Sequence, residues 1–330
     1  MKTAAVQAPA TWANARERGV YGLMWLMYWG LRILRRPILT PVVRAVILYF
    51  FCCVRSAREA SLDYLRRVEK AFPAAGLRPD WRTSLRHFSA FGDAILDKFD
   101  AWAGRLPAGT VVLNDDAGIH QDVAVGRGGL IIGAHLGNAE VCRAVASINR
   151  FARLNVLAHT HHAVNINRLL GMAGASQFEL LQVTAVDMAL VLRLRERISA
   201  GEWVVIAGDR VAVHGGRSVG VCLLDAPAAL PIGPYVLGAM LECRVVLMFC
   251  LRRAGVHQLY FESFADKIAW SRLERDTVIR DWAGRFAERL EHYMQLEPLQ
   301  WFNFYKFWSA TAAGSAVAAG RGGARGAVGR

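Results

Sequence analysis

From Val111 onward the chain alternates short apolar runs with helical stretches, and that alternation restricts the possible fold more than any other feature. The runs are VVL, LIIGA, LNVLA, FELLQ, WVVIAGD, VVLMFCL and QLYFESF. Strands interleaved with helices predict an α/β domain: a mixed, mostly parallel sheet flanked by helices. LIIGA and VVLMFCL lack the apolar/polar alternation of a strand with one wet face, so both are expected to be covered on two sides. In such a sheet ligands collect where the strands end. Residues that follow the apolar runs are therefore the candidates for chemistry.

Ahead of this domain lies a different texture. Val20 to Leu31 reads VYGLMWLMYWGL, followed by Arg32, Arg35 and Arg36; then come PILTPVV, Arg44 and AVILYFFCCV, closed by Arg55 and Arg58. Neither run reaches about 18 uninterrupted apolar residues, the length a spanning helix needs. Trp25, Tyr28 and Trp29 beside arginines suit a headgroup region, so this segment is expected to be an apolar helical membrane-association segment, interfacial or shallowly inserted. A pair of buried core helices is the alternative. A cleavable signal peptide does not fit, because the first apolar run begins only after Arg16, Glu17 and Arg18. Apolar residues at three- and four-residue spacing predict helices over SLDYLRRVEKAF from Ser61 and over Trp81 to Trp102. The division expected is residues 1–60 for membrane association, 61–310 for one α/β domain, and 311–330 as a disordered Ala/Gly/Arg tail.

Hydrophobic residues make up 54% of the chain and charged residues 20%, which excludes a disordered protein. Forty Lys and Arg against 27 Asp and Glu leave a formal charge of +13, which attracts nucleic acid, anionic lipid or an acidic protein. No zinc-finger, recognition-helix or ribonucleoprotein pattern appears, so nucleic acid is not expected as a partner. Arginines beside apolar helices point to an anionic membrane surface. The six cysteines show no C-x-x-C spacing and sit mostly in apolar runs, as reduced cysteines on a cytosolic face do. With no P-loop and no G-x-G-x-x-G after a strand, no nucleotide or other cofactor is expected.

Directly after LIIGA come His135, Leu136, Gly137, Asn138, Ala139 and Glu140. An imidazole is a useful general base near neutral pH, and a carboxylate on its other nitrogen fixes the tautomer and stabilises the imidazolium. This is the His and acid of a triad without its serine, so the natural chemistry is direct attack by a hydroxyl that His135 deprotonates, with Glu140 as the orienting partner. The H-x-x-x-x-E spacing is common by chance, and a structural histidine is its bland alternative.

Several blocks in order give that spacing weight: GAHLGNAE, then Gly208, Asp209 and Arg210 after WVVIA, then LPIGPYVLGAML from Leu230 followed by VVLMFCLR. Over about Val20 to Trp308 these resemble the bacterial lipid A lauroyl and myristoyl acyltransferases, within the lysophospholipid acyltransferase-like group. LQWFNFYKFW from Leu299 to Trp308 looks instead like acyltransferases that accompany aryl-polyene pigment synthesis. The resemblance implies an acyltransferase-like domain at the cytoplasmic face of the inner membrane, with His135 as base and Glu140 as its partner. It implies Asn138, Arg168, Asp209 and Arg210 on the substrate side, Arg210 binding a phosphate or polarising a thioester carbonyl. An ion pair with Asp209 is the structural alternative for Arg210. The aromatic run from Leu299 either packs a core or lines an acyl-chain groove. The acyl donor implied is acyl carrier protein, an acidic partner for a basic surface, and the acceptor a lipid.

Two other functions compete. His159, His161 and His162 could hold zinc in a hydrolase, although adjacent strand residues face opposite ways and no H-E-x-x-H occurs, so no metal is expected. A membrane-surface adaptor without turnover is the non-enzymatic alternative.

Overall fold

The computed structural model describes residues 36–102, 105–106, 109–138, 141, 153–158, 178–182, 187–211 and 216–308. All seven apolar runs are strands: β1 Val111–Asp115, β2 Gly129–Gly137, β3 Leu154–Ala158, β4 Phe178–Gln182, β5 Trp203–Ala207, β8 Val245–Arg253 and β9 Val256–Ala265. They form one sheet in the order β1-β9-β8-β2-β5-β3-β4. Neighbours pair in parallel except β8 and β9, which form an antiparallel hairpin, so the sheet is mixed and mostly parallel. A second, two-stranded sheet pairs β6 Ser218–Leu223 with β7 Ala226–Pro231.

The uninterrupted apolar runs follow from burial on two faces. Leu130 and Ile132 of β2, with Val245, Leu247, Phe249 and Leu251 of β8, join one core, and the intervening Ile131, Val246, Met248 and Cys250 join another. Each large apolar side chain removed from water contributes about 1.5–3 kcal/mol, so neither face of these strands tolerates a polar alternation. The first core takes in helices α2 Arg55–Ala71, α5 Met188–Ser199, α6 Gly233–Leu241 and α7 Arg275–Leu296. The second is covered by the end of α3 Trp81–Trp102 and by the short helix α4 Ile119–Ala124.

Helix α1, Arg36–Cys53, joins the two apolar runs on either side of Arg44, with Pro41 inside it. Leu39 and Ile47 are buried, and a Cβ on Gly92 of α3 would lie 2.9 Å from Ile47 Cγ1, so the two helices meet closely there. Arg36 adds ion pairs to the buried Asp97 (2.6 Å) and to Asp100 (3.1 Å) of α3. The remaining circumference is unusual for a surface helix: Ile38, Val42, Val46, Leu48, Tyr49 and Phe50 are exposed. Among the described residues α1 is the one helix long and apolar enough to cross a membrane.

Candidate active site

His135 sits where β2 loses its regular pairing. The register of β2 against β8 shifts between Gly133 and Gly137, so the strand turns out of the ladder at the histidine and rejoins it where Gly137 faces Cys250. Gly137 makes this turn possible: its φ is +72°, and a Cβ there would lie 1.7 Å from the Cys250 carbonyl oxygen. On the other side β5 pairs Ala207 with Gly133, and the Gly208 N–H donates to the Gly133 carbonyl at 2.8 Å. The next residue, Asp209, is thereby delivered to His135 although 74 positions separate them.

Asp209 Oδ1 lies 2.8 Å from His135 Nδ1, and Oδ2 accepts from the His135 backbone N–H at 2.9 Å and from the Trp301 indole N–H at 3.0 Å. Asp209 is fully buried, while the His135 side chain is 41% exposed. Burial alone would push the Asp209 carboxyl up, but the charge and hydrogen bonds of His135, with the Arg210 charge behind it, hold it down at about 2. The carboxylate can only accept, so Nδ1 carries the proton and Nε2 keeps its lone pair. This is the arrangement of a general base open to solvent.

Asp209 therefore holds the place at Nδ1 that the sequence reading assigned to Glu140, and it faces the imidazole instead of a substrate. Glu140 lies outside the described residues, as do Arg168, His159, His161 and His162. Asn138 is buried, and its amide donates to the Ala94 carbonyl of α3 at 2.8 Å, so it braces the strand end against that helix. Arg210 donates to the Phe302 carbonyl at 2.7 Å and lies 5.9 Å from the Tyr305 ring centre. Its Nε is buried without a hydrogen-bond partner among the described residues. Burial and the neighbouring Asp209 charge push the Tyr305 phenol up to about 12, so it stays protonated beside this arginine.

The aromatic run read as core or groove is core: Trp301, Phe302, Phe307 and Trp308 are buried. It also builds the site, which sequence reasoning missed. Trp301 bridges Leu136 in antiparallel fashion, the Phe302 N–H donates to the His135 carbonyl at 3.1 Å, and the indole reaches Asp209. A tryptophan in an apolar run carries no sign of such a bond; its single N–H donor is the only hint.

No protein-family model matches this sequence, and no curated protein matches it significantly.

Proposed function

We propose that the chain is a membrane-associated acyltransferase that moves a fatty or polyene acyl group from an acyl carrier protein thioester to a hydroxyl of a lipid acceptor. It would work at the cytoplasmic face of the inner membrane, in the manner of the lipid A and aryl-polyene acyltransferases it resembles. The observation that carries this reading is the exposed His135 imidazole with Nδ1 held by buried Asp209. Nε2 takes the proton of the acceptor hydroxyl as its oxygen attacks the thioester carbonyl. The C–S bond then breaks, and the imidazolium returns the proton to the departing thiolate. Arg210, cationic and next to the dyad, would stabilise negative charge on the carbonyl oxygen.

The membrane part rests on α1. At about 100° per residue, Ile38, Ala45 and Tyr49 fall opposite the packed Val43 and Ile47, and that exposed arc is apolar. Its inner face is tied to α3 through Arg36, so a helix lying in the interface with one face in lipid fits better than a spanning one. Rings link this helix to the site: Phe51 to Phe88 at 5.3 Å, Phe88 to Phe304 at 4.5 Å, and Phe91 to Phe302 at 5.3 Å. The formal charge of +13 suits both an anionic bilayer and an acidic carrier protein.

The deciding experiment compares wild type with His135→Ala, given acyl carrier protein thioesters and a membrane lipid extract. Wild type should transfer the acyl chain, while the variant binds vesicles equally well and turns over roughly 100- to 10,000-fold more slowly. Vesicle binding by both proteins with thioester consumption by neither would replace the enzyme with an adaptor.

A further inference from the structure

We propose that Trp301 is the positioning residue of the His135–Asp209 dyad, its indole N–H holding Asp209 in the one orientation that presents His135 Nε2 to a substrate.

Asp209 is a carboxylate with no exposure, and a buried charge is tolerable only when N–H groups surround it. Of the three hydrogen bonds its carboxylate makes among the described residues, two come from His135 itself, the backbone N–H on Oδ2 and the ring on Oδ1. Those two alone would let the carboxylate follow the histidine in any movement of the strand end. The third, from Trp301 Nε1 at 3.0 Å, comes from a different part of the chain and is the external reference. It shares Oδ2 with the backbone N–H, which leaves Oδ1 for the ring.

Trp301 can serve as a reference because it is itself held. It is fully buried and packed edge-on against Tyr64, Phe307 and Trp308, at 5.1, 5.0 and 5.9 Å between ring centres. Its carbonyl lies 3.0 Å from His87 Nε2, and its backbone bridges Leu136, the residue after His135. The following residue grips the site twice more, the Phe302 N–H on the His135 carbonyl and the Phe302 carbonyl on Arg210. Residues 301–302 thus touch the base, its carboxylate and the neighbouring cation, where β2 is irregular between Gly133 and Gly137. A positioning role is what this strap supplies to an irregular strand end.

The kinetic arm of the test rests on the acyl-transfer reading; the spectroscopic arm does not. Trp301→Phe removes the donor and part of the ring, and incorporation of benzothienylalanine at 301 replaces N–H by sulfur at nearly constant shape, which keeps the test open should the phenylalanine variant fold poorly. The full chain should lose about 10-fold in kcat, with the KM for the carrier protein thioester unchanged, as befits one hydrogen bond to a charged group. In an Asp209→Asn background the same replacement should cost nothing further, because the group it acts through has lost its charge. Nitrogen NMR of the neutral His135 ring should show Nδ1–H in wild type and a mixture with Nε2–H in the isostere.

An unchanged tautomer, or an equal kcat loss in both backgrounds, would make Trp301 a packing residue and overturn the proposal. A wild type that consumes no thioester would instead sink the acyl-transfer reading, while the tautomer measurement still decides on Trp301.

Discussion

Two histidines lean on the same tryptophan and are built for opposite ends. His135 meets solvent and has a buried carboxylate on Nδ1. His87 of α3 is fully buried, with Nδ1 at 3.0 Å from the Ser61 hydroxyl and Nε2 at 3.0 Å from the Trp301 carbonyl. A carbonyl only accepts, so Nε2 of His87 carries its proton and Nδ1 accepts from Ser61, which in turn accepts from Ser84 at 2.9 Å. Both rings are hydrogen-bonded and fixed in tautomer; they differ in access and in the charge beside them. Burial holds His87 neutral, pulling it down to about 4 against the weaker pull of the Trp301 carbonyl. A hydrogen-bonded imidazole becomes a base only when its free nitrogen can reach a substrate and a fixed anion can stabilise its protonated form.

The strongest way to break this contrast is to remove the anion. Asp209→Asn keeps the shape but takes away the charge that stabilises the imidazolium, and it admits the wrong tautomer. The proposed acyl transfer, measured with carrier protein thioesters, should fall by roughly 100- to 10,000-fold, comparable to the loss expected for His135→Ala. Retention of most activity would return the orienting role to Glu140.

What could be read from the sequence divides along the same line. Both expected helices and all seven sheet strands were legible, because apolar periodicity reports burial and these strands are buried on two faces. The β6/β7 hairpin was not: Ala-Pro-Ala-Ala-Leu-Pro has no β-branched or aromatic residue to mark a strand. His135 stood out at a strand end, but its partner did not, since the Asp209 contact depends on the register that sets Gly133 beside Ala207. Linear spacing favoured the nearby Glu140. Trp301 lies 92 positions from the carboxylate it bonds, so only the folded chain could join them. His87 was hidden as one more residue of an amphipathic helix.

Acid separates the two sites by pH. His87 has its folded value depressed to about 4 against 6.5 for the free group, so the unfolded chain binds the extra proton between these values. Stability from this residue is therefore fully present above about pH 6.5 and falls by about 3 kcal/mol as pH drops to 4. Asp209, depressed to about 2 from 3.8, contributes stability that is present above pH 3.8 and lost towards pH 2, about 2 kcal/mol in all. Urea unfolding at a series of pH values should resolve the two windows, and His87→Phe should lower the slope of the upper one, to which the depressed His292 also contributes, while leaving the lower. Loss of the lower window in that variant would mean that the two sites titrate as one.

The smallest expected effect draws the sharpest line between them. Ser61→Ala removes the donor to His87 Nδ1 and strands the Ser84 hydroxyl, but leaves the Nε2–H bond to the Trp301 carbonyl in place. Two lost buried hydrogen bonds should cost about 1–3 kcal/mol in denaturant unfolding. Since Trp301 keeps both its carbonyl contact and its indole bond to Asp209, kcat should stay within about twofold of wild type. A tenfold fall in kcat at unchanged KM would mean that the His87 side of the tryptophan helps to aim the dyad, and the buried ring would then belong to the same machine as the exposed one.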